Sequence, residues 1–138
     1  MKPLNFILMS LPLLLLAGCA GVTSQSVADQ KAELCTNLAR FNTAVVTLKS
    51  MGANSTVGDF RQAQEQVKLT FNEVKTSAQN VREAKVAELE QAYGELDNAV
   101  QTIPDTATLQ QATASVSEQV AAVEAAQSQM QSGLNCQQ

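Results

Sequence analysis

From Ser26 onward, apolar residues recur at helical intervals, and only a few punctuation points interrupt the rhythm. In the first stretch, about 26–51, Val27, Leu34, Phe41 and Leu48 fall on one face, with Leu38 and Val45 between them. In the second, about 57–102, steps of 3.6 residues collect Phe60, Ala63, Val67, Phe71, Val74, Ala78 and Val81. They continue through Leu89, Ala92, Tyr93, Leu96, Val100 and Ile103, and only the step at Lys85 is polar. The third, about 106–133, carries Leu109, Val116, Val123 and Met130, with Ala112, Val120 and Leu134 beside them.

The punctuation fits these limits. Ser26 with Asp29 resembles a capping box. Met51-Gly52-Ala53-Asn54-Ser55 reads as a turn, and Thr56 with Asp59 then opens the second helix. Pro104-Asp105 ends it. Gly94 lies inside the second stretch and costs about 1 kcal/mol relative to Ala without breaking the pattern.

The fold class expected is all-α, an elongated three-helix antiparallel bundle with a long central helix. That helix would measure about 69 Å, and its neighbours about 39 and 42 Å, lying mostly end to end along it. Flush helix ends would place Cys35 and Cys136 both opposite position 72. The alternative is a four-helix bundle with a break near 77–80, where Ser77 or Asn80 could cap a new start. With flush ends, that break would leave the two cysteines roughly 20 Å apart in height.

The residues before Ser26 are of another kind. A short apolar run from Leu4 to Ala17 follows Lys2. It is shorter than the ~20 residues a spanning helix needs and has the pattern of a signal peptide. It closes in Leu16-Ala17-Gly18-Cys19. These four residues resemble the lipobox of bacterial lipoproteins. The resemblance covers residues 1–19 alone, and it implies lipidation at Cys19 with cleavage before it. The chain then divides into a signal peptide (1–18), a small polar tether (19–25) and a helical domain (26–138). Ala20 after the lipidated residue favours the outer over the inner membrane, on the periplasmic side. One acyl chain binds a membrane with only about 10⁴ M⁻¹, so the several chains such a Cys carries would hold the protein.

Composition narrows the function. The net charge of −4 supplies no basic footprint for nucleic acid. The absence of His removes the usual general base and the imidazole metal ligand. Leu, Ile, Val and Phe make up 25 of the residues from Cys19 on, so the core is thin and a covalent staple would matter. Cys35 and Cys136 are the two cysteines left after lipidation. In an oxidising compartment they favour an intramolecular disulfide over an intermolecular one or free thiols. They lack the further ligands a zinc site needs.

Other clusters have plainer readings. Arg61–Glu65, Glu65–Lys68 and Lys85–Glu88 stand at helical i+3 or i+4 spacing and read as a solvated face. The acidic stretch Glu83, Glu88, Glu90, Glu95 and Asp97 lacks the dense carboxylates of a calcium loop. Phe41, Phe60 and Phe71 belong to the core, and Tyr93 edges it with its hydroxyl towards water. Glutamines at 62, 64, 66, 127, 129 and 131 read as solvent-facing helix. No nucleophile–base motif is visible.

The expectation is therefore a lipid-anchored, non-catalytic scaffold, adaptor or spacer in the cell envelope. Its membrane contact would be the lipid, and its partner another envelope protein. No metal, cofactor or nucleic acid is expected. The alternative is a carrier of a small apolar ligand, for which Ala- and Val-rich seams leave little room.

Overall fold

The computed structural model of this protein describes residues 26–137. It is all-α, with α1 at Val27–Lys49, α2 at Val57–Ala78, α3 at Ala87–Gln101 and α4 at Leu109–Leu134. The expected three-helix rod is thus corrected: the long central helix is two helices, and the bundle has four.

The reason lies in residues 79–86. Val81 continues the seam of α2 and is only 3% exposed, yet it reaches the core from a turn. Its N–H donates to the Ala78 carbonyl, and the Ala84 N–H donates to the Val81 carbonyl. A turn can therefore keep an apolar periodicity that looks helical. The polar step at Lys85 falls inside this linker. Neither Ser77 nor Asn80 caps the next helix; Val86 stands at that N-cap without a side-chain hydrogen bond. Glu88 and Glu90 in the first turn of α3 face the positive end of the helix dipole instead. Folding back also covers each stripe from two sides, which a straight rod flanked by short helices cannot do.

Caps set the other starts. The Ser26 hydroxyl accepts the Asp29 N–H. Thr56 and Asp59 form a full capping box, as do Thr108 and Gln111. In the first box the Thr56 backbone N–H and hydroxyl both donate to Asp59, and they hold its carboxyl below the usual carboxylate range.

The helices run up, down, up and down. α1 packs on α2, α3 on α4, and α1 and α4 close the ring as antiparallel neighbours. Lys49 reaches Glu124 at 2.9 Å, and Gln127 Nε2 donates to the Leu38 carbonyl at 3.2 Å. The backbones of α2 and α3 stand farther apart and meet through side chains. The Phe71 and Tyr93 rings stack there at 4.0 Å, and Lys75 pairs with Glu90 at 3.1 Å. The core runs through Leu34, Leu38, Phe41, Phe60, Val67, Val74, Leu89, Leu96 and Val123.

The helix ends are not flush. Phe41 packs against Phe71 with ring centroids 5.8 Å apart, and the Asn37 amide donates to the Ser77 hydroxyl at 3.2 Å. Flush ends would have set Phe41 opposite position 66. α1 is therefore displaced about five residues, or roughly 8 Å, towards the C-terminal end of α2. Residues 50–56 span the resulting rise.

Phe71 touches rings of both α1 and α3 across the centre of the bundle. Phe71→Ala should lower unfolding stability by about 3–5 kcal/mol in urea titration. Leu69→Ala, at a residue 55% exposed, should change it by less than about 0.5 kcal/mol.

Candidate functional site

Cys19, the proposed lipidation residue, lies outside the described residues, as does the signal peptide. Cys35 and Cys136 lie within them, and their sulfurs are at bonding distance, 2.03 Å, with Cα atoms 5.5 Å apart. Two local features bring them together. The displacement of α1 lowers Cys35 to the level where α2 and α4 end, which removes the height difference expected of a four-helix bundle. Asn135 then ends α4 in the left-handed region at φ 53°, and the Cys136 N–H donates back to the Gln131 carbonyl. The chain thus turns towards α1 just as the helix stops. Asn tolerates this conformation better than most residues with a Cβ.

The bridge spans 101 residues of sequence and sits about 13 Å along α1 from Ser26. It ties the C-terminal end of α4 to the helix that the tether enters. Both cysteines are half-buried.

Charges are used differently from the sequence reading. The ion pairs of the described residues join separate elements: Arg40–Glu73, Lys49–Glu124, Arg61–Asp105 and Lys75–Glu90. Arg61 does not pair with Glu65. Its guanidinium donates to the Ile103 carbonyl and to Asp105, and so fastens the start of α2 to the α3–α4 connection. The Lys85–Glu88 pair is not formed, because Lys85 is in the linker. The acidic stretch is dispersed in the same way. Glu90 pairs with Lys75, Glu95 accepts from Gln91, and Asp97 accepts from Gln64 and Gln101. Among the described residues, no group of three His, Cys, Asp or Glu is placed to hold a metal ion.

Phe41, Phe60 and Phe71 are in the core as expected. Tyr93 is not at the water's edge: it is 9% exposed, and its hydroxyl is buried without a partner. Burial first, then Asp97 and Glu65, push the phenol up to about 12, so it stays a neutral donor at physiological pH. Two of the glutamines read as surface are also buried, Gln64 at 4% and Gln127 at 2% exposed. Spacing could have revealed both. Gln64 falls four residues after Phe60 and three before Val67, and Gln127 stands likewise between Val123 and Met130.

A groove of about 360 Å³ opens between the end of α1, Phe60 and α4. Leu48, Phe60, Val116 and Val120 form its floor, and Lys49 and Glu124 close one end. Its size exceeds what the thin seams suggested. The displaced α1 stops short of the upper part of α4 and leaves this space uncovered. No described helix is long and apolar enough to cross a membrane. No family model, curated protein or solved structure matches the chain.

In the chain-entropy model, a bridge closing about 100 residues contributes up to about 4.7 kcal/mol. Cys35→Ser with Cys136→Ser should lower unfolding stability by about 2–5 kcal/mol in guanidinium titration. Amide exchange should rise first at residues 127–137, which the bridge holds down.

Proposed function

We propose that this chain is a lipid-anchored, non-catalytic scaffold, adaptor or spacer on the periplasmic side of a bacterial envelope membrane, with the outer membrane favoured. The observation that carries the proposal is Leu16-Ala17-Gly18-Cys19 after an apolar run led by Lys2. The fold is compatible with the role. The tether would enter at Ser26, the end of the bundle that also bears 79–86 and Cys136, opposite the end bearing 50–56 and 102–108. α1 and the other helices set the two ends apart by about 35 Å, the length of a 23-residue helix. A disulfide between Cys35 and Cys136 suits an oxidising compartment. Labelling with a fatty-acid analogue should mark the protein, and Cys19→Ala should abolish the label and move the protein from membrane to soluble fractions. Unlabelled protein, or a membrane-bound Cys19→Ala variant, would refute the anchor.

The groove at Phe60 favours one second reading, a carrier of a small apolar ligand. Its volume lies in the range of ligand sites. Ala121→Leu would fill it, and an apolar fluorescent dye bound by the parent protein should then be lost while the melting temperature holds. Equal dye binding by both proteins would count against a carrier.

A further inference from the structure

Among the described residues, every side-chain hydrogen bond and ion pair that joins separate elements uses residues between Asn37 and Gln127. The two end segments, 26–36 and 128–137, take part in none of them. They bring only Leu34, Met130 and Leu134 into the core as buried side chains. The Asn135 and Cys136 N–H groups donate to Ser132 and Gln131, inside the same segment. Beyond that apolar contact, what ties the two ends together is the Cys35–Cys136 bridge.

The last turns of α4 need such a tie. Ser128, Ser132 and Gly133 are weak helix formers, and Asn135 stands in the left-handed region at φ 53°. Met130 and Leu134 dock the segment by apolar burial alone, which is small against the entropy of ordering 128–137. The interior is held differently. Phe41 on Phe71, Asn37 on Ser77 and Gln127 on the Leu38 carbonyl lock α1 to its two neighbours without the sulfurs. Both cysteines are half-buried at the edge of the core, so a thiolate reaches the bridge without unfolding the helices.

We propose that the Cys35–Cys136 bridge is a redox latch, which a dithiol opens while the fold between residues 37 and 127 persists. One thiolate of the dithiol attacks a sulfur of the bridge and forms a mixed disulfide, and the other cysteine leaves as a thiolate. The second thiolate of the reductant then displaces the remaining cysteine. Two electrons and two protons pass from the dithiol to Cys35 and Cys136, which end as thiols, and the reductant ends as its own disulfide. Residues 128–137 then lift from α1 and expose Met130 and Leu134, and a disulfide oxidant reverses the sequence. The latch lies at the end of the bundle where the tether would enter, but its working does not depend on the lipid.

The oxidised full chain, in non-ionic detergent and without denaturant, is treated with dithiothreitol. Peptide mass spectrometry after alkylation reads the state of Cys35 and Cys136, and amide exchange is read on a parallel aliquot. Both cysteines should be alkylated. Amides of 128–137 should exchange as fast as unstructured chain, while those of 60–75 stay protected about a hundredfold or more. Oxidised glutathione should restore protection to 128–137. Cys35→Ser with Cys136→Ser should show the open segment without reductant and no response to it. The proposal is overturned if the bridge resists dithiothreitol until denaturant is added, or if 128–137 keeps its protection after reduction. It is equally overturned if oxidised glutathione restores nothing, or if residues 60–75 lose their protection together with 128–137 in the reduced chain or in the serine variant.

Discussion

Each helix carries one narrow apolar stripe, and many positions on those stripes are Ala or Val. Such a stripe cannot be sealed by a single neighbour. It must be covered from two sides, and a ring of four helices does so for every member. The break after Ala78, the return of α3 beside α2, and the pairing of the first helix with the last all answer that demand. Phe71 shows how few large side chains carry it. One ring meets Phe41 on one side and Tyr93 on the other, and so joins three helices. Where the stripes run short of bulk, long polar residues fill in, which accounts for buried Gln64 and Gln127.

Much of this was legible in the residues. The all-α class and the limits of α1 followed from periodicity and caps, whereas α4 starts at Leu109 behind the Thr108–Gln111 box instead of at 106. Helix number was ambiguous for a physical reason: Val81 occupies the next position of a helical series while belonging to a turn, so its burial mimics continuity. Lys85 was the one honest sign of the interruption. The start of α3 was illegible in another way, since Val86 provides no capping side chain and tertiary packing sets that boundary.

Pairing across the bundle was less legible than the elements. Helix register depends on where side chains interlock. Phe41 against Phe71 and Asn37 against Ser77 fix an offset that loop lengths alone do not reveal. That offset decides two things at once: it brings Cys35 level with Cys136, and it leaves the groove beside Phe60 uncovered. The cysteine pair could be proposed from number and compartment, whereas the groove could not. The polar seam at Gln64 stayed hidden because glutamine was read by its usual preference for solvent instead of its place between Phe60 and Val67.

The position of the sulfur bridge also has a mechanical meaning. Cys35 lies near the entry of the chain into the bundle and Cys136 near its exit, so the 101-residue span between them is a closed covalent ring. Tension applied between Ser26 and the C-terminal residues travels along the first turns of α1 and across the sulfurs. It bypasses the rest of the ring, and α2, α3 and most of α4 bear none of that load. Force reaches the bundle interior only when the pull comes from the far end, through residues 50–56 or 102–108. There it would shear α1 against α2 instead of peeling the chain from a terminus.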